Sequence, residues 1–455
     1  MELKMFIVQP KLLLLAAVSL GTHAQSNDLA ISGARIEIGD GKVIASGTVV
    51  IHDGKIAAVG ENVTAPPGAE IVDGKGLIVY PGFIDAYTTG GLTLPSAPSG
   101  DRAPDSRTTA PPSMWHGNRK GVRSDILCYK AVDLRTTARD ANRVGVTTAL
   151  LSPGSGPVCG ISTIIDYTTA PGGPPASAGA KPATAAGTVI LPEAAAELSF
   201  RNGAGGGGFG GGGGGSYPGT LFGVVALLRQ TLADAQFYAA QPTPAKKDPA
   251  MENLGPVLTG KMPALFFADS AREIVRATRV SDEFSLHMIL LGGREAYRDL
   301  DLVKAKGFPV IASLDLGFEP SLKPDSSTPA SDGSPQAVLQ ERHDQWVEHS
   351  HNVKALYDAG IPLAFSSLGL SGGVDDFLKG LRAVIATGVP EAAVLKSVTS
   401  QSASILGLAD KVGTIEPGKL ANLVLFSGDF ADPKSQVKTV FVEGVRVEMK
   451  KEGSK

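Results

Sequence analysis

The sequence predicts an α/β fold class: a (β/α)8 TIM barrel with a small composite β-sandwich domain formed by the N- and C-terminal segments. Three observations predict it. At 455 residues the chain is long for one compact core, so a large domain with a smaller companion is expected. Short alternating apolar and polar runs with tight turns occupy both ends. Between them, near-continuous apolar runs alternate with amphipathic helical patterns, the mark of a parallel sheet covered on both faces.

The chain opens with Lys4 and Lys11 ahead of "LLLLAAVSLG" (12–21), an apolar run too short to span a bilayer. With Ala24 as the small residue before cleavage, residues 1–24 are expected to be a signal peptide. Periplasmic or secreted localisation follows, with no lipid anchor because no Cys stands at the junction. Residues 29–80 come next as short strands, punctuated by Gly-Asp-Gly-Lys (39–42) and Asp53-Gly54-Lys55. Asp-Gly between alternating runs signals a hairpin, because the turn needs positive φ. The far end has the same character in "GTIEPGKLANLVLFSGDF" (413–430) and "VKTVFVEGVRVEMK" (437–450). Two such segments pair most simply into one domain, 25–80 plus 406–455, with 81–405 inserted as the barrel.

Within the insert, apolar strands are expected at 77–86, 145–153, 162–168, 262–270, 285–293, 308–316 and 361–367, and helices at 271–283, 294–307 and 375–388. Seven strands favour an eight-stranded barrel with one strand unread between 170 and 262, where the pattern is poorest. Residues 93–118, rich in Pro, Ser and Arg, follow the first strand and are expected to hang over the barrel mouth. The Gly-rich tract 203–216 is expected to be a flexible loop; no Lys-Ser/Thr follows it, so it is not a phosphate loop. "SYPGTLFGVVALLRQTLADAQFYAA" then reads as a helix.

Charged residues make up 19% of the chain and the net charge is −3, which gives no footprint for nucleic acid or an anionic membrane surface. Cys128 and Cys159 are the two cysteines, too few for a zinc site of their own. They read as small buried residues, with their pairing open.

The stretches "ISGARIEIGDGKVIASGTVVIHDGKIAAVG", "GLIVYPGFIDA" and "VTSQSASILGLADKVGTIEPGKLANLVLF" resemble the opening and closing signatures of the amidohydrolase superfamily, its imidazolonepropionase-like and dihydroorotase-like members above all. The resemblance implies a metal-dependent barrel that hydrolyses C–N bonds other than peptide bonds, with zinc or another divalent metal acidifying water. It also implies ligands at strand ends: a His-x-His, often a carboxylated Lys or a Glu, two later His, and an Asp that is also the base. Here the first strand ends in Asp85-Ala86-Tyr87-Thr88. Phe267 and Gly292-Gly293 stand where the later His are implied, and Ser366, Ser367 and Leu368 stand in place of Ser-Asp. The resemblance therefore implies a degenerate member that lacks the metal-ligand histidines, and no metal or other cofactor is expected.

The remaining histidines do not substitute. His287 is expected at the barrel bottom, away from the chemistry. His349 and His351 sit two apart on a helix, pointing about 200° from each other. His343 is expected to be solvated, and His116 lies in the long loop. The polar set expected at the mouth is Asp85, Tyr87, Thr88, Asp166, Asp269, Ser366 and Ser367. Asp85, Tyr87 and Asp269 are the candidate catalytic residues, and Thr88, Ser366 and Ser367 the candidate substrate-binding ones. Asp85 also has a structural reading as a cap on backbone donors, and Asp269 as an N-cap of the following helix.

Two functions are carried forward. One is an exported, non-catalytic protein that binds an amide-like ligand or partners an active amidohydrolase paralogue or a second copy of itself. The other is a hydrolase for a cyclic amide or N-acyl substrate with an altered, metal-independent site.

Overall fold

The structure, a computed structural model, describes residues 28–95, 121–134, 137–168, 187–201, 220–241, 247–322 and 335–447. The expected signal peptide, the loop from 96 to 118 with His116, and the Gly-rich tract lie outside the described residues.

The first sheet joins the two chain ends. Its N-terminal strands are β1 (Leu29–Glu37), β2 (Val43–His52), β3 (Lys55–Gly60), β4 (Glu70–Asp73) and β5 (Ile78–Pro81). The turn between β2 and β3 is Asp53-Gly54, with φ of 47° and 77°, as the sequence signal requires. From the C-terminal end come β14 (Leu423–Phe426), β15 (Val437–Val442) and β16 (Val445–Arg446). The strand order is β16-β15-β14-β5-β1-β2-β3, with β4 also on β1. The two ends meet where β14 pairs antiparallel with β5, Leu423 opposite Pro81. Alternation divides β14 between two cores: Leu423 and Leu425 pack with Ile31, Val49 and Phe441 inside the sheet domain, and Val424 and Phe426 pack toward the barrel.

The expected strand 77–86 is two strands in two sheets. β5 ends at Pro81, and β6 (Phe83–Thr88) begins the barrel. The change of sheet occurs at Gly82, where a Cβ would lie 2.1 Å from the Thr147 hydroxyl, so only glycine allows the crossing.

The second sheet runs β6, β7 (Val146–Leu151), β8 (Val158–Asp166), β9 (Thr188–Ser199), β10 (Ala264–Ala268), β11 (Met288–Gly292), β12 (Val310–Ser313) and β13 (Leu363–Ser366) in spatial order. The strand unread between 170 and 262 is β9. One expectation is corrected: β8 is antiparallel to both neighbours. Residues 152–157 between β7 and β8 are too few for a helical crossover, so the chain turns back on itself. Ile84, Leu150, Leu265, Ile289, Ile311 and Ala364, one from each of six strands, share one buried cluster that fills the barrel.

The α-helices in chain order are α1 (Thr137–Arg143), α2 (Leu221–Ala239), α3 (Pro249–Glu252), α4 (Gly255–Leu258), α5 (Ala271–Phe284) and α6 (Leu300–Lys306). They continue with α7 (Gln336–Ser350), α8 (Asn352–Asp358), α9 (Phe377–Ala386), α10 (Glu391–Ser397) and α11 (Ser400–Ile405). No helix among the described residues is long and apolar enough to cross a membrane.

Candidate active site at the carboxyl ends of the barrel strands

The strand ends bring together three separate polar groups. The first is at the seam between β6 and β13. The fully buried Asp85 carboxylate accepts from the Ser367 backbone N–H at 2.9 Å and the Ser367 hydroxyl at 2.6 Å, and from the Tyr87 N–H at 3.3 Å. A single side chain thus links the first strand to the segment leaving the last. Burial pushes this carboxyl up to about 7, against the pull of the three donors.

The second group is centred on Glu197, near the end of β9 and 2% exposed. One oxygen accepts from the Tyr87 hydroxyl at 3.1 Å. The other accepts from the Ser152 hydroxyl at 2.5 Å and the Gly154 N–H at 3.0 Å. Burial raises the carboxyl, opposed by these donors and by the Cys159 thiol. The same burial drives the Tyr87 phenol and the Cys159 thiol well above their ordinary values, so neither ionises near neutral pH. Both Cys128 and Cys159 are free and buried.

The third group is the least enclosed. Asp269 follows β10, accepts from the Arg294 N–H at 3.4 Å, and is raised by burial against the pull of Arg294 and Arg201. The Arg201 guanidinium lies 3.5 Å from the centre of the Phe267 ring, a cation–π stack across the ends of β9 and β10. At Gly292, with φ of 90°, a Cβ would come within 2.5 Å of the Asp269 carboxylate and 3.2 Å of Phe267. The absence of a side chain there is what lets these two residues abut β11.

The expected site residues thus separate. Asp85 and Ser367 meet, as do Tyr87 and Glu197, and Asp269 stands apart from both pairs. Ser366 donates to the Ala312 carbonyl at 3.1 Å, and Thr88 accepts from the Gly90 N–H at 3.2 Å in a local turn. Asp166 is not at the mouth. The reversed β8 carries it to the opposite end, where Asn422 of the sheet domain and Thr148 donate to it at 2.8 and 2.6 Å. The N-cap of α5 is Ser270 in a capping box with Glu273, not Asp269. His287 is exposed at the start of β11, as expected, and the histidine-bearing helix is real, breaking at His351 between α7 and α8. His343 is less solvated than expected, 21% exposed, with its ring centre 6.0 Å from that of Trp346. Sequence reasoning missed Glu197, Ser152 and Arg201, all on or next to the strand pair whose direction or existence it did not read.

The described residues at the strand ends do not fit a divalent metal. Among the described residues no group of three or more His, Cys, Asp or Glu side chains converges in a way that could hold one. The two most buried carboxylates there are already taken up by hydroxyl and backbone donors, leaving no convergent set of open oxygens among the described residues.

A family model described as "Amidohydrolase family" matches residues 325–447. Imidazolonepropionase of Salinispora arenicola is 31% identical over 127 residues, covering 26% of this chain and 30% of that protein. Dihydroorotase of Anaeromyxobacter dehalogenans is 42% identical over 62 residues, 14% of each chain. The chain thus matches less than a third of the length of these curated relatives. The solved structure of an amidohydrolase from Thermotoga maritima superposes with a TM-score of 0.70 at 23% identity, covering 93% of this chain and all of that one, a likeness of fold. The signature segments at both ends, the near-closed eight-stranded barrel and the sheet domain built from both termini agree with these matches: residues 325–447 carry an amidohydrolase-family segment, and the chain has the fold of the Thermotoga maritima amidohydrolase.

Proposed function

We propose that this is an exported amidohydrolase-family protein that binds a small amide-like ligand in place of metal-dependent hydrolysis, alone or beside an active paralogue. The observation that carries the reading is the closed bonding of Glu197. Its two oxygens take the Tyr87 and Ser152 hydroxyls and the Gly154 N–H, so the strand-end carboxylate is spent within the protein. The Asp85 carboxylate is spent in the same way on Ser367.

Elemental mass spectrometry of the chain purified without chelators tests it. The expected metal content is far below one per chain and unchanged by added Zn²⁺ or Mn²⁺; about one per chain would overturn the reading. Intact mass of the same sample is expected to start at Gln25, the residue after the signal peptide.

Asp269 favours a second reading, a hydrolase with a metal-independent site. It is the candidate catalytic carboxyl left partly open, it is raised by burial, and Arg201 and Arg294 flank it. In that case Asp269→Asn removes any turnover of cyclic amides or N-acyl amino acids, with the fold intact by circular dichroism.

A further inference from the structure

Off the barrel axis, on the same face as the strand ends, a cleft of about 250 Å³ opens between the loops leaving β11 and β12 and the side of α7. Arg294, Asp315, Leu316, Arg342, Trp346 and His349 line it. The volume is just under the roughly 300 Å³ at which small-molecule pockets begin. It suits a molecule the size of a substituted aromatic acid.

Three features give the cleft a preference for an anion. The Arg294 guanidinium and the His349 imidazole line it beside one lining carboxylate, Asp315, with a second, Glu295, behind the imidazole. The Arg294–Asp315 pair is loose, 3.7 Å apart, and among the described residues no side-chain nitrogen of Arg294 makes a hydrogen bond, which leaves its planar fork available. His349 Nε2 is a buried atom with no hydrogen-bond partner among the described residues; its nearest carboxylate oxygen, on Glu295, is 3.7 Å away. Buried polar atoms are nearly always paired, so an unpaired one on a cleft wall is a place for a ligand atom.

The opposite wall is aromatic and fixed. Trp346 donates to the Gly317 carbonyl at 3.4 Å, and its indole lies over a glycine whose Cβ would sit 3.7 Å from the ring. The far end of α7 and the start of α8 are tied to the loop after β11: Tyr297 donates to Glu348 at 2.9 Å, and Asn352 donates to the Gly293 carbonyl at 3.0 Å. Such bracing holds a site formed before its ligand arrives.

We infer that this cleft binds a small carboxylate carrying an aromatic or planar acyl group, of the N-aroyl amino acid class. The carboxylate lies against Arg294 and His349, and the ring against Trp346. The inference rests on the binding reading above and names its ligand class and location. Arg294 also joins the cleft to the mouth, since its backbone N–H donates to Asp269.

The chain has two tryptophans, so a Trp115→Phe background leaves Trp346 as the sole reporter. In it, N-benzoylglycine is titrated by calorimetry and by tryptophan emission, with the neutral N-benzoylglycinamide in parallel. Binding is expected to change Trp346 emission. The amide is expected to bind at least tenfold more weakly, and Arg294→Gln and His349→Gln each to weaken the acid about tenfold, with unchanged circular dichroism. Binding lost in Arg201→Gln but kept in both cleft variants would place the ligand at the mouth, overturning the cleft and sparing the binding reading. No binding of the acid at millimolar concentration would overturn the cleft, while the binding reading is judged separately by metal content.

Discussion

Asp85 shows how one buried carboxylate can tie the first barrel strand to the segment leaving the last. Its carboxyl rises from an ordinary 3.8 to about 7 because burial outweighs three donors. Between those values the folded protein holds a proton that the unfolded chain has released. Stability from this group is therefore largest below pH 4 and falls as pH rises toward 7, by up to about 1.4 kcal/mol per pH unit. Asp166, also raised to about 7 by burial, adds a slope of the same sign. Asp85→Asn keeps an oxygen for the Ser367 N–H and removes the proton, so relative to wild type it should gain stability from pH 5 to about pH 7 and level off above that. Asp85→Ala leaves that N–H without its acceptor and should lose about 2 kcal/mol at pH 5. Urea unfolding at the two pH values measures both; a pH-independent difference between the Asn variant and wild type would refute the account. The capping role of Asp85 was legible in the PGFID turn. Glu197 was not, because "PEAAAELS" is written in good helix formers and becomes a strand through pairing with β8 and β10.

At the scale of elements, legibility followed how much local chemistry each element carries. α5 was read from 271 to 283 and observed to 284, because Ser270 and Glu273 form a capping box and the apolar positions keep helical spacing. Ser270→Ala removes the hydroxyl that accepts from the Glu273 N–H and should cost about 1 kcal/mol in urea unfolding. Ser270→Gly should cost a few tenths, since glycine tolerates the cap backbone. Equal losses for the two would mean that the side-chain bond contributes nothing. The direction of β8 was harder to read, because an apolar run is the same run in either sense. The six-residue connection 152–157 was the available signal. The single apolar run 77–86 likewise hid a change of sheet that Pro81-Gly82 marked.

At the scale of the molecule, the sheet domain and the barrel share one support. Tyr80, Phe83, Phe426 and Phe430 form a buried aromatic cluster with ring centres 5.6 to 6.3 Å apart, drawn from β5, β6, β14 and the segment after it. Polar ties reinforce it: Gly82 N–H donates to the Asn422 carbonyl at 2.8 Å, Asn422 donates to Asp166 at 2.8 Å, and Ser400 donates to the Gly39 carbonyl at 2.6 Å. A sheet whose two halves come from opposite chain ends forms only when the chain between them has folded. The barrel in turn loses its floor without the sheet. The two should therefore unfold as one unit. Phe426→Ala, which empties the middle of the cluster, should cost about 3–5 kcal/mol. In the Trp115→Phe background, Trp346 emission reports the barrel, and amide exchange of β1 to β3 reports the sheet. Both should shift to lower denaturant by the same amount. If exchange in β1 to β3 moved alone while Trp346 kept its midpoint, the sheet would be a separately folding unit, and the shared core would be only a contact surface.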